Sequence, residues 1–254
     1  MSHAIINDDE LSVLWTLAEK SVPYGLSYGT VRDYCEGYDT IRNLATYSND
    51  LKDQQRFWML KTIIATQPRG ATLVEIGAGE PAVADILGRL GYRVIVVDPY
   101  AGAGNGPQEI EHFKNLYKNV EYIVDLFSAE VSGIEPSSID CIYSISVIEH
   151  IPREVIASVV DGIKLFAKSG SLSVHAIDFV LAGPHDVFHA EMLSYFAQLL
   201  GFGTESVDEM LKAAAQDSET YFLSAEAHNR WRGAVSYDEF PMRKVISAQV
   251  IAER

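Results

Sequence analysis

Two glycines set one residue apart, with a carboxylate ahead of them, are the first grouping in the chain with chemical meaning. The run LVEIGAGEPAVADIL, residues 73–87, places Glu75 at the end of an apolar stretch, then Gly77, Ala78 and Gly79, then Pro81 at the start of helix-like sequence. Glycines at such a turn permit backbone conformations and a close ligand approach that a Cβ would forbid. Pro81 suits a first helical position, because its missing N–H would have no intrahelical partner there. A second carboxylate, Asp98, ends the run YRVIVVDPY nineteen residues beyond Gly79. A carboxylate so placed can accept hydrogen bonds from both hydroxyls of a ribose. Gly77, Gly79 and Ala82 also satisfy G-x-G-x-x-G/A, the fingerprint of nicotinamide dinucleotide sites, so the turn by itself leaves that alternative open.

The elements that must position these residues follow from the spacing of apolar side chains. From Asp8 to about Gln67 the apolar residues recur at helical intervals, interrupted by Pro and Gly around Pro23 to Gly29, which predicts an N-terminal helical cap over residues 1–69. Beyond Gly70, short Val- and Ile-rich runs alternate with helix-length segments, the pattern of a parallel sheet with crossover helices. Strands are expected at Thr72 to Ile76, Arg93 to Val97, Val120 to Val124, Ile139 to Tyr143 and Ser171 to Ile177. Helices are expected at Pro81 to Leu90, Glu109 to Tyr117, Arg153 to Ala167, Ala190 to Leu200 and Ser206 to Ala215. Tyr221 to Leu223 and Lys244 to Ala252 would close the sheet as a C-terminal antiparallel hairpin around an insertion at about 224–243, which is long for a turn and carries Trp231. With no repeat or linker, residues 1–254 read as one domain: a cap, then a Rossmann-like core of seven mostly parallel strands over 70–254.

Composition narrows the function classes. A chain of 254 residues with 48% apolar residues has ample material for a core. Its formal net charge of −15 opposes a polyphosphate partner, and no basic patch offsets it, so a small-molecule acceptor is favoured over nucleic acid. Cys35 and Cys141 have no CxxC partner, which argues for a reducing compartment and against a thiolate zinc site. The N-terminal residues lack a basic and then apolar leader, and no stretch approaches the roughly 20 apolar residues that span a bilayer. A cytoplasmic protein without membrane insertion is expected; a homodimer is compatible with all of this.

Glu75 with the glycine turn, Asp98 after the second strand, and SIDCIYSISVIEHIP at 138–152 together resemble the motifs of class I S-adenosylmethionine-dependent methyltransferases. The resemblance runs over roughly residues 70–180 in the family's order, and EHIP is its most distinctive part. It implies a Rossmann-like methyltransferase fold with S-adenosylmethionine as cofactor. By it, Glu75 lies near the methionine end, Gly77 to Gly79 pass under the cofactor, Asp98 binds the ribose, and Pro99 is a further cofactor-binding residue. Asp125 and Leu126 border the adenine, while Ser144 and Ile145 approach from the fourth strand. Pro81 stands where the family often has a third glycine. Against a dehydrogenase, the glycine turn follows some seventy residues of helical sequence and no Tyr-x-x-x-Lys pair lies downstream.

Methyl transfer from a sulfonium is an in-line displacement, so the protein supplies alignment and, for a hydroxyl acceptor, removal of a proton. His150, just after the fourth strand, is the candidate base, since an imidazole titrates near neutrality; its plainer role is to orient the next helix. His175, Asp178, His185, Asp186 and His189 cluster after the fifth strand, and His175, Asp178 and Trp231 are the candidate substrate residues. Some methyltransferase families bind metal through Glu-x-x-Glu-His, but Ser146 replaces the first acid here, so no metal is assigned. Arg56 could meet the cofactor carboxylate, a group that a guanidinium matches with two bonds. The expected activity is O-methylation of a small hydroxylated metabolite or sugar. An oxidoreductase using NAD(P) and a noncatalytic cofactor-binding scaffold are the alternatives.

Overall fold

The structure, a computed structural model, describes residues 6–44, 51–102, 108, 110–183, 185–222 and 244–254. In chain order its elements are α1 (Asp8–Val13), β1 (Gly25–Tyr28), α2 (Val31–Thr40), α3 (Leu51–Thr66), β2 (Thr72–Ile76), α4 (Ala82–Arg89), β3 (Arg93–Val97), α5 (Ile110–Leu116) and β4 (Glu121–Ile123). There follow β5 (Ile139–Ile145), α6 (Arg153–Phe166), β6 (Ala167–Ala182), α7 (Asp186–Leu199), α8 (Thr204–Gln216) and β7 (Lys244–Glu253). Short 3₁₀ turns occupy Leu14–Glu19, Arg42–Leu44 and Ile148–His150.

One seven-stranded sheet runs β1-β7-β6-β5-β2-β3-β4. Strands β4, β3, β2, β5 and β6 are mutually parallel, and β7 is antiparallel to both of its neighbours. The apolar runs that predicted strands bury both faces, as a sheet covered by helices requires. On one side Leu73, Val94, Val96, Cys141 and Val174 pack with α3 and α4. On the other, Val74, Ile95, Ile142 and Phe179 pack with α6, α7 and α8. The chain lays down β2, β3 and β4 in one direction and then returns to place β5 on the far side of β2, so strand order reverses between β2 and β5. Ligands of open α/β sheets bind beyond the carboxyl ends of the strands at such a switch point.

Two expectations need correction. The N-terminal segment is not helical throughout: Gly25–Tyr28 forms the edge strand β1, paired with β7 from Gly25↔Ile251 to Tyr28↔Ala248. This is the neighbour that the C-terminal hairpin was expected to supply. Tyr221 and Phe222 are not in a strand, and Tyr221 is tied instead to the N-terminal segment, its N–H donating to the Gly29 carbonyl at 2.9 Å. A four-residue strand bounded by Pro and Gly is too short to show a period, so only long-range pairing reveals it. The expected insertion at 224–243, with Trp231, lies outside the described residues. No helix among the described residues is long and apolar enough to cross a membrane.

Candidate active site

The parallel register brings the ends of β2, β3 and β5 level: Ile76 lies opposite Val97 on one side and Ser144 on the other. At this edge the backbone leaves β2 through a turn with Gly77 at φ +64° and Gly79 at φ +56°, both in the left-handed region that side chains resist. A Cβ on Gly77 would also lie 2.7 Å from Val147, so the loop after β5 closes on this turn. The Gly77 N–H donates to the Val97 carbonyl at 2.8 Å, and the Gly79 N–H donates to Asp98 Oδ2 at 2.9 Å. The other Asp98 oxygen accepts the Tyr100 N–H at 2.7 Å. A carboxylate has about four acceptor sites, so both oxygens keep capacity for a ligand's hydroxyls.

Glu75 points into the α3 and α4 side of the sheet and is 3% exposed. Burial pushes its carboxyl up to about 8, against the opposing pull of the Tyr143 hydroxyl, which donates to Oε2 at 3.2 Å, and of the Arg56 guanidinium. Arg56 reaches this place from α3, is 13% exposed, and lies 3.5 Å from Glu80 Oε2. Glu80 Oε1 accepts the Tyr117 hydroxyl at 2.6 Å. At the outer end, Asp125 accepts the Leu126 N–H at 2.8 Å, and the Leu126 side chain is 65% exposed at the rim. Glycines without side chains at the turn, a carboxylate with spare acceptor capacity beside it, and an exposed apolar rim fit the hydroxyls and flat ring of a nucleoside. Ala78 lies within the turn, Pro99 follows Asp98, and Ala78 and Ile145 are partly buried against the α3-side core.

Not every candidate faces this edge. Ser144 is buried on the α7 side, where its hydroxyl pairs with His175 Nδ1 at 2.8 Å; His175 Nε2 pairs with the Ser173 hydroxyl at 2.5 Å. The ring stands edge-on to Phe196 with centroids 5.0 Å apart. Both nitrogens are satisfied, the residue is buried, and burial holds its pKa down to about 3. The assignment of His175 to the substrate is therefore overturned: it is a neutral core histidine, and the Ser144 side chain serves that core rather than the cofactor.

Asp178 does face the edge. Gln55 Nε2 donates to its Oδ1 at 2.8 Å, and the Ser146 hydroxyl lies 2.7 Å from Gln55 Oε1 and 3.0 Å from Asp178 Oδ1. Ser146 has φ +52°, a conformation costly for a residue with a Cβ and common where a turn must present a group. The Asp178 N–H donates to Glu149 Oε1 at 3.1 Å. Burial first, and then the nearby Asp178 charge, hold the Glu149 carboxyl well above the usual carboxylate range. His150 is half-exposed, with Nε2 4.0 Å from Glu149 Oε1. His185, Asp186 and His189 sit at the start of α7, and among the described residues no three His, Cys, Asp or Glu side chains gather in a metal-holding group.

Sequence reasoning passed over Gln55 and Glu80. The signal for Gln55 was its place in α3, whose residues Asp53, Gln54 and Gln55 are polar yet buried, where an ordinary surface helix would turn them to water.

No protein-family model matches this chain, and no curated protein matches it. Solved structures do. The chain is similar to the geranyl diphosphate C-methyltransferase of Streptomyces coelicolor A3(2), solved with S-adenosyl-L-homocysteine: 14% identity, 98% of each chain, TM-score 0.50. The fold is that of the S-adenosylmethionine-dependent methyltransferases. A phosphoethanolamine N-methyltransferase 2 of Haemonchus contortus, solved with S-adenosyl-L-methionine, matches at 18% identity over 79% of this chain with a TM-score of 0.48. This chain spans about half of that enzyme's length, 52%.

Proposed function

We propose that this protein is an S-adenosylmethionine-dependent methyltransferase that O-methylates a small hydroxylated metabolite or sugar. The observation that carries the cofactor part is the convergence of Glu75, the Gly77 to Gly79 turn and Asp98 on one sheet edge, beside the point where strand order reverses. When bound, the cofactor supplies an activated methyl group on a sulfonium. The chain's own residues would then bind its ribose at Asp98, receive the adenine near Asp125 and Leu126, and hold its methionine end between Glu75 and α3.

The acceptor would lie beside Ser146, Glu149 and Asp178, where the turn after β5, the end of β6 and the first turns of α3 meet. Polar groups offering both donors and acceptors suit a hydroxylated molecule. Half-exposed His150 borders this space and is the proposed base: as the acceptor oxygen takes the methyl group, its proton passes to the imidazole and the sulfur leaves as a neutral thioether. The test is calorimetric titration of the protein with S-adenosylhomocysteine and with NADH, followed by turnover on a panel of hydroxylated metabolites with S-adenosylmethionine. Binding of S-adenosylhomocysteine without NADH is expected, and tighter NADH binding would overturn the reading.

A further inference from the structure

Glu80 stands in an unusual place, directly after Gly79 and one residue before the helix-entering Pro81, so a carboxylate is built into the glycine turn itself. Its two oxygens are divided: Oε1 takes the Tyr117 hydroxyl at 2.6 Å, and Oε2 faces the Arg56 guanidinium at 3.5 Å. That separation exceeds the roughly 2.7–2.9 Å of a tight charge-assisted bond, so the pair is associated but not closed. The guanidinium also lies close enough to Glu75 to favour its ionised form, which puts Arg56 near the carboxyl end of β2. Arg56 is mostly buried and Glu80 about one-third exposed.

Resting on the cofactor reading above, we infer that the amino-acid end of the cofactor is recognised as a zwitterion by parting Arg56 from Glu80: its carboxylate takes the guanidinium, and its ammonium takes Glu80 Oε2. One ion pair is exchanged for two, and the local net charge is unchanged, so no buried charge is stranded on binding. The planar guanidinium can meet a carboxylate with two parallel bonds, which a single contact at 3.5 Å to Glu80 does not supply. The Tyr117 hydroxyl holds Glu80 in place through the exchange. A ligand with the same adenosine and thioether but no amino-acid end would leave the pair as it is and gain nothing from it.

The experiment is calorimetry of the full chain and of Arg56→Gln and Glu80→Gln with two probes, S-adenosylhomocysteine and 5′-methylthioadenosine. The wild type should prefer S-adenosylhomocysteine strongly. Each variant should lose about tenfold or more on S-adenosylhomocysteine and stay within about twofold on methylthioadenosine, the scale of one charge-assisted contact removed from one end of the ligand. Retained methylthioadenosine binding also certifies that a variant is folded. Unchanged S-adenosylhomocysteine affinity in either variant, a tighter Glu80→Gln, or equal losses on both probes would overturn the inference while leaving the cofactor reading intact. A wild type that binds neither probe would overturn both.

Discussion

The carboxylate of Asp98 accepts the backbone N–H of Gly79 at 2.9 Å, so the end of β3 holds the glycine turn that follows β2. One side chain thus shapes the turn and borders the proposed ribose position. Asp98→Ala should weaken S-adenosylhomocysteine binding by roughly 1.5–3 kcal/mol, the scale of charge-assisted hydrogen bonds lost to a ligand and to the loop beneath it. Calorimetry on the folded variant checks this, and an unchanged dissociation constant removes Asp98 from the site.

Glu75 makes the protein's stability fall as pH rises. A carboxyl raised from 4.5 to about 8 in the folded state keeps its proton where the unfolded chain has already lost it. Its contribution is therefore fully present below about pH 4.5 and is lost progressively between there and pH 8. At about 1.4 kcal/mol per unit the loss approaches 5 kcal/mol at the upper end of that window. Glu75→Gln, which cannot ionise, should be more stable than wild type at pH 8 and close to it at pH 4. Urea unfolding at both values measures the difference, and parallel curves would place Glu75 in a more solvated setting than its burial indicates.

His175 titrates in the opposite direction. Its pKa is held down to about 3 by burial, so the neutral ring contributes stability that is present above about pH 6.5 and lost as pH falls toward 3. His175→Ala should cost about 2–4 kcal/mol, from the cavity left beside Phe196 and from the Ser144 and Ser173 hydroxyls stripped of their partner. Cofactor affinity should change far less than melting temperature. A large loss of cofactor binding with stability intact would return His175 to the site.

The parts of the fold legible in the sequence are those where burial alone dictates the pattern. Strands Thr72–Ile76 and Arg93–Val97 have the bounds expected of them, because a parallel strand covered on both faces is a continuous apolar run with polar or glycine ends. Strand β1 was hidden because its identity comes from pairing with β7, more than two hundred residues away, and not from any local period. The candidate site divides in the same way. Glu75, Gly77, Gly79 and Asp98 carry their placement in the chain order of strand, turn, helix and strand. His175 and Asp178 are three residues apart, and whether a histidine there faces core or solvent depends on sheet parity and on α7 packing across it, neither of which its neighbours record. Gln55 and Glu80 show their meaning only across space, through Asp178 and Arg56.

His150 offers the sharpest separation of binding from chemistry. It closes the 3₁₀ turn Ile148–His150, is half-exposed, and lies 4.0 Å from the Glu149 carboxyl, whose burial holds it well above the usual carboxylate range. If it takes the acceptor's proton, His150→Ala should leave S-adenosylhomocysteine affinity near wild type and lower turnover by roughly 10²- to 10⁴-fold, the contribution of a positioned general base. A structural role predicts something else: Val147, three residues earlier in the same loop, closes against Gly77, so a collapsed turn would lower melting temperature and cofactor affinity together. A metal-ligand role predicts a third result, in which chelator abolishes wild-type turnover and added Mg²⁺, Mn²⁺ or Zn²⁺ restores it. Melting temperature, cofactor affinity, turnover and chelator response measured on one preparation tell the three apart, and full turnover of chelated His150→Ala would remove the imidazole from the chemistry.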